Sequence, residues 1–207
     1  MSAQAAGRIV VIGDALIDEI RDDGGIRELV GGAALNLAVG LRRLGVATSL
    51  IAMVGDDEAG AHIREYLHDH DVRLIATPAP NGSSRAIVTR SAAGEPSYVF
   101  NRAAQERTIR YVSAAREAIA QASLVVISCF PFDVPAEVDA LRAALAGARV
   151  AIDPNPRSGM LGDRDAFVAG FESLASGSEI VKVGADDAAL LYDGDLVALR
   201  DRLRGLG

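Results

Sequence analysis

The chain has 207 residues, half of them apolar and only 4% aromatic, with 28 acidic against 21 basic side chains and a net charge of −7. That length holds one large α/β domain with an aliphatic core, or two small ones. The negative charge argues against a nucleic-acid or anionic-membrane surface, and a single cysteine, Cys129, excludes an intrachain disulfide or a Cys-based metal cluster.

The first residues, MSAQAAGR, carry no apolar signal core, and no apolar run approaches a membrane span, so a soluble cytoplasmic protein is expected. RIVVIG (8–13) is an apolar run with no 3.6-residue stripe and reads as a buried strand. The polar stretch 14–30, with DDGG as a turn, follows. Ala34, Leu37, Ala38, Leu41 and Leu44 fall on one helical face, and Gly45 suits the C-terminal cap. TSLIAMVG (48–55) is a second strand, and 57–70 a helix with acidic residues in its first turn, where they favour the dipole.

Residues 72–101 hold strand-like pieces (VRLIA, RAIVTR, SYVFN) separated by the turns PAPNGSS and AAGE. Then come strand 123–128, helix 135–147, strand 149–153, helix 163–175, strand 179–183 and short helices near 185–192 and 195–204. Strand-helix alternation predicts a mostly parallel sheet covered on both faces. The stretches 14–30 and 72–101 break that alternation and read as a small β lid. Its apolar strands SYVF and RAIV predict lid-to-lid pairing in a homodimer.

Gly13 after a strand invites a dinucleotide-binding reading, but GDALID is not GxGxxG and no helix opens there. The three histidines, His62, His68 and His70, sit on or after the second helix and read as surface residues. The informative block is 31–60. Gly31 and Gly32 let a ligand approach the backbone just before a helix. Asn36 lies one turn inside that helix, off the apolar stripe, where asparagine has poor propensity. On residue chemistry alone, a solvated Asn and an ordinary Gly-Gly loop explain these as well as a binding site does.

The block Gly31-Gly32, Asn36-x-Ala38, Leu44-Gly45 and Val54-Gly55-Asp56-Asp57-x-x-Gly60 resembles the N-terminal signature of the ribokinase/fructokinase (PfkB) family of carbohydrate kinases. GDALID, AIDPNPR and IVKVGADDAALL extend the resemblance, in order, over essentially the whole chain. It departs at Leu35, where a small residue is usual, and at Gly184. The resemblance implies one ribokinase-like α/β three-layer sandwich over 1–207, incomplete, with the small β lid. It implies ATP-dependent phosphorylation of a small sugar or sugar acid, with Mg²⁺ as the second cofactor.

Carried over residue by residue, the resemblance assigns sugar contacts to Asp14, Asp18, Gly31, Gly32 and Asn36. Carboxylates suit that task because each accepts from adjacent hydroxyls. The resemblance adds Arg102 in YVFNR, and Asp153, Asn155 and Arg157 in DPNPR, which tilts the sugar towards fructose or 2-keto-3-deoxygluconate. Lys182, the single lysine, matches a lysine near the nucleotide phosphates. Asp187 falls where the family has the Glu that organises Mg²⁺, and Gly184 where it has an Asn. The family's base lies in a Gly-Ala-Gly-Asp segment, which this sequence lacks. Two readings follow: a sugar kinase of which this chain carries the sugar-binding half, inactive alone, or a non-catalytic sugar-binding or regulatory relative.

Overall fold

The computed structural model of the chain describes residues 7–22, 25–90 and 96–207. The AAGE turn and the centre of DDGG lie outside the described residues.

A six-stranded sheet forms the body, all of its strands parallel: β1 (Ile9–Gly13), β4 (Thr48–Met53), β5 (Arg73–Thr77), β8 (Leu124–Ser128), β9 (Val150–Asp153) and β10 (Ile180–Val181), in the order β10-β9-β8-β1-β4-β5. A second sheet of four strands has the order β3-β2-β6-β7, from β2 (Leu16–Asp22), β3 (Gly25–Gly31), β6 (Ser84–Arg90) and β7 (Pro96–Phe100). It contains antiparallel pairs and one parallel pair, β2 with β6. This is the expected ribokinase-like α/β architecture with a separate small sheet. One boundary differs. VRLIA, grouped by its sequence with the second sheet, supplies β5, the edge of the main sheet beside β4. Its local pattern is strand-like either way, and only the parallel register with Ser49–Met53 decides its partner.

The period-2 alternation of β1 explains the layering. Val10 and Ile12 point into one core, with Val125, Ile127, Val138, Leu141, Phe167 and Phe171. That core packs beneath α4 (Ser113–Ala120), α5 (Pro135–Ala144) and α6 (Arg164–Ala175). Val11 points the other way, to Leu50, Ala52, Ile63 and Leu67, under α1 (Ala33–Arg43) and α2 (Glu58–Asp69). Helix α1 is rotated by about one residue from its expected face. It buries Ala34, Leu35, Ala38 and Val39, while Leu44 follows the helix and is 81% exposed. Leu35 joins Leu50 and Ala52 of β4 in the core, and Leu37 and Leu41 are only partly buried against it. Gly45 (φ +82°) ends the helix as expected, with the Val46 N–H returning to the Leu41 carbonyl.

From β1 the chain passes to β4 and β5 on one side, and later to β8, β9 and β10 on the other. The reversal places a crevice at the C-terminal ends of β1 and β8, where open α/β sheets take ligands. Both excursions into the second sheet leave from that same edge, after β1 and after β5. Among the described residues no helix is long and apolar enough to cross a membrane.

Candidate functional site

A cleft of about 430 Å³ opens at this edge, between the C-terminal ends of the main sheet and the inner face of the second sheet. Asp14, Asp18, Gly32, Asn36, Arg157 and Asp187 all line it, so residues spread over 174 positions of sequence converge.

Asp14 follows β1 directly and reaches the start of α1, where its Oδ1 accepts from the Ala34 N–H at 2.9 Å. Its carbonyl accepts from the Leu35 N–H at 3.2 Å. The side chain is only 8% exposed. Burial pushes its carboxyl above the usual carboxylate range. The Ala34 N–H, the Arg107 charge, the Ala33 N–H and the Cys129 thiol pull it down without cancelling that rise. Asp18, on the inner face of β2, is also raised, by burial first and by the Asp14 charge second, against the opposing pull of Arg157. Asp14, Asp18 and the Arg157 guanidinium therefore share one pocket.

The glycine pair has separate tasks. A Cβ on Gly31 would stand 2.3 Å from Asp18 Oδ2, so the missing side chain makes room for that carboxylate. Gly32 has φ +111°, and a Cβ there would meet the Asp14 carbonyl at 2.8 Å. Asn36 is exposed on the outer arc of α1, away from the core and towards the cleft.

The DPNPR loop leaves β9 at the same edge. Asn155 holds φ +42° between two prolines, and Cys129, after β8, holds φ +51°. Strained non-glycine backbone at two adjacent strand ends marks a site shaped by its surroundings. Asn155 turns the loop and does not line the cleft. Arg157 does, ahead of a 3₁₀ turn (Ser158–Met160). Asp153 lies one strand over, with Lys182 Nζ 3.1 Å from its Oδ1. Burial raises the Asp153 carboxyl, and Lys182 opposes the rise. Asp187 is 7% exposed, and its Oδ2 accepts from the Gly184 N–H at 2.7 Å, capping α7 (Ala185–Tyr192). Arg102 stands apart. Its side chain is 73% exposed, pairs with Glu106 at 2.9 Å, and does not reach the cleft. Position i to i+4 on a helical turn gives it a partner that the sequence comparison overlooked.

The structure adds cleft residues the sequence reading did not single out. Tyr98 and Phe100 alternate on β7 and so share the inner face, with ring centroids 6.3 Å apart and planes 14° off parallel. The x-Tyr-x-Phe pattern carried that signal. Asp186 adds a fourth acidic wall residue beside Asp14, Asp18 and Asp187, and buried Arg107 acts electrostatically on Asp14. Nothing in QERTIR marks Arg107 as buried.

The Val54-to-Gly60 motif is a clasp rather than part of the cleft. Asp57 Oδ1 accepts from Gly60 N–H (2.8 Å) and from Ser83 Oγ (2.6 Å), while Oδ2 accepts from Ser83 N–H (2.7 Å). Gly55 N–H donates in turn to Ser83 Oγ at 3.0 Å. The clasp ties the start of α2 to the entry of β6. Burial acts to raise the Asp57 carboxyl, but these bonds and Arg85 outweigh it, and the net position is below the usual range. A lowered carboxyl stabilises the fold above the ordinary carboxylate range and loses that contribution as pH falls through its folded value. Asp57→Ala should cost about 1–2 kcal/mol at pH 7, as loss of a helix N-cap does. Urea titrations should show the gap to the parent closing towards pH 3. A constant gap at both pH values would mean that the carboxylate charge is irrelevant to the clasp.

Fold and cleft together define a carbohydrate-kinase-like protein. The model of the pfkB family carbohydrate kinases matches residues 6–202, and the chain belongs to that family. It is 36% identical over 97 residues to a fructokinase of Klebsiella pneumoniae, covering 45% of this chain and 32% of that protein. It is 30% identical to the aminoimidazole riboside kinase of Salmonella typhimurium and 28% identical to fructokinase-2 of rice, over 91% and 90% of this chain. The chain spans 61% and 60% of those two proteins. Among solved structures, the fructokinase of Vibrio cholerae O395 in its fructose-, ADP- and potassium-bound form superposes with a TM-score of 0.78 at 19% identity, over 99% of this chain and 68% of that one. The ATP-bound fructokinase of Xylella fastidiosa gives 0.77 at 22% identity, over 97% and 69%. These likenesses establish the fold.

Proposed function

We propose that this chain carries the sugar-binding half of an ATP-dependent kinase that phosphorylates a hydroxyl of a small sugar, fructose or a 2-keto-3-deoxygluconate-like acid. The observation that carries this reading is the convergence of Asp14, Asp18, Asn36 and Arg157 on one cleft at the strand-order reversal. Ionised carboxylates accept from vicinal hydroxyls, Asn36 supplies a donor and an acceptor, and Arg157 donates to a carbonyl or carboxylate oxygen. The apolar faces of Tyr98 and Phe100 would cover the sugar and keep water from it. Fructose and ATP or ADP stand in the names of the similar structures, which supports this choice of ligands.

ATP would supply the phosphoryl group, with Mg²⁺ neutralising charge on its phosphates. The chain's own groups for that side are Lys182 and Asp187. Lys182 is 61% exposed and held by Asp153. One oxygen of Asp187 is committed to Gly184. Mg²⁺ commonly takes only one or two carboxylates besides phosphates and waters, and Asp187 fits that limited role.

The chain is expected to gain thermal stability with fructose, and to release no ADP from ATP, Mg²⁺ and sugar at a useful rate. Positioning and charge stabilisation at the transferring phosphoryl dominate this chemistry, and a general base adds about 10²–10⁴-fold. No stabilisation by fructose, 2-keto-3-deoxygluconate or ribose would overturn the sugar-binding reading. Turnover near one per second would overturn the inactivity.

We also place the protein in the cytoplasm and assign it a homodimer through the second sheet. Leu29 and Tyr98 lie on the same face of that sheet by register and are 54% and 52% exposed. Apolar side chains on a small sheet favour a covering partner. Sedimentation at micromolar concentration should show a dimer that Leu29→Lys converts to monomer. A parent that is monomeric throughout would remove the assignment.

A further inference from the structure

Asp14 has a second neighbour besides the cleft. Arg107, in the stretch between α3 (Arg102–Gln105) and α4, is only 9% exposed. One terminal nitrogen donates to the Ala104 carbonyl at 3.0 Å, and its Nε has no hydrogen-bond partner among the described residues. A guanidinium taken out of water with a donor unmatched costs free energy unless something inside accepts from it. Arg107 and Asp14 both line a small void of about 10 Å³, together with Ser84 and Cys129. That is about the room one water needs, and the wall offers a guanidinium, a carboxylate, a hydroxyl and a thiol. A buried water requires two to four polar partners, and this void has them.

We propose that the void is a water site through which Arg107 anchors and charge-balances the Asp14 carboxylate, making Arg107 a positioning residue for sugar binding. The inference rests on the sugar-cleft reading above. Asp14 Oδ1 is engaged by the Ala34 N–H, and the carboxylate accepts a sugar hydroxyl well only when ionised. Its burial opposes ionisation. The groups facing this corner are Asp18 from β2, Cys129 after β8, Arg157 from the DPNPR loop and Arg107. Arg157 acts on Asp18, whereas Arg107 is the cation that acts on Asp14. The cleft cation and the buried cation thus serve different carboxylates.

The test compares the 207-residue chain with Arg107→Met and Arg107→Lys, with carboxyl-¹³C aspartate and Asp14 assigned. In Arg107→Met the Asp14 titration midpoint should rise by about one pH unit or more, and Arg107→Lys should restore most of the difference. Fructose affinity of the Met variant should fall by about tenfold at pH 6, with the loss shrinking towards pH 8.5. A merely structural role would lower affinity equally at every pH, and that result overturns the proposal, as does an unmoved Asp14 midpoint in a folded Met variant. If the Asp14 midpoint moves but the parent binds no sugar, the coupling stands and the sugar reading fails. Should the Met variant not fold, the decision passes to Arg107→Lys and to a high-resolution crystal structure of the parent. Density for a water within hydrogen-bond reach of both Asp14 and Arg107 upholds the site, and its absence there overturns it.

Discussion

Gly13→Ala is expected to lower the stability of the folded chain by about 3–5 kcal/mol, a large share of the 5–15 kcal/mol typical of a domain. Gly13 closes β1 opposite Ser128 of β8, with φ +156°. A Cβ there would sit 1.8 Å from the Ser128 carbonyl oxygen and 2.8 Å from Ala34 Cβ. The carbonyl belongs to a central strand and cannot retreat without opening the β1–β8 ladder. Overpacking of this kind costs about 1–3 kcal/mol and unfavourable backbone another 1–3. Gly147→Ala is the control. Gly147 also has positive φ (+79°), but nothing lies within 4 Å of its added Cβ. It should lose only about 1 kcal/mol. Equal losses for the two variants in urea titrations would mean that crowding at the β1–β8 contact contributes nothing.

The contrast between those glycines shows what kind of information a sequence carries. The strands of the main sheet were legible because each is a short apolar run bounded by glycine or proline, and a parallel sheet buried on both faces needs just that pattern. Helices 163–175 and 185–192 were placed only approximately from the sequence, and the structure adds their caps, from Asp163 to the Ala166 N–H and from Asp187 to the Gly184 N–H. What stayed hidden was decided by contacts between distant segments. VRLIA could pair with either sheet, and its register with β4 settles the matter. The rotation of α1 depends on Leu35 finding space beside β4, which no helical wheel can supply.

The candidate site divides the same way. Asp14, Asp18, Gly32, Asn36 and Arg157 were read from the family resemblance, and one cleft now holds all five. Arg102 was read from the same resemblance, yet a local partner four residues on holds it in solvent. Tyr98 and Phe100 announced a shared face through their spacing, but not which ligand that face would meet. Arg107 gave no local sign, since its burial follows from distant segments, those of Asp14, Ser84 and Cys129, packing beside it. The Val-Gly-Asp-Asp motif, one part of the block that carried the resemblance, serves the connection between the sheets rather than the cleft.

Asp18→Asn should move stability and binding in opposite directions. The Asp18 carboxyl is raised in the folded chain, by burial and by the Asp14 charge, against Arg157. For such a group the favourable contribution is fully present below the ordinary carboxylate range and is lost as pH rises through the folded value. At pH 7 the ionised side chain therefore costs the sugar-free protein stability, and the isosteric amide removes that cost while keeping the fit above Gly31. The melting temperature of the sugar-free variant should exceed the parent's at pH 7, and the two should converge towards pH 4. Sugar affinity should fall by about 10- to 100-fold, because a hydrogen bond to a charged acceptor is worth about 1.5–3 kcal/mol and the amide is the weaker acceptor. Calorimetric titration with fructose, run beside thermal melts across that pH range, reads both effects on one preparation. A variant that melts lower than the parent at pH 7 would show that Arg157 already outweighs burial at Asp18. Unchanged fructose affinity would remove Asp18 from the site. Of the neighbouring pair Asp14 and Asp18, only Asp14 would then be left to accept from the sugar hydroxyls.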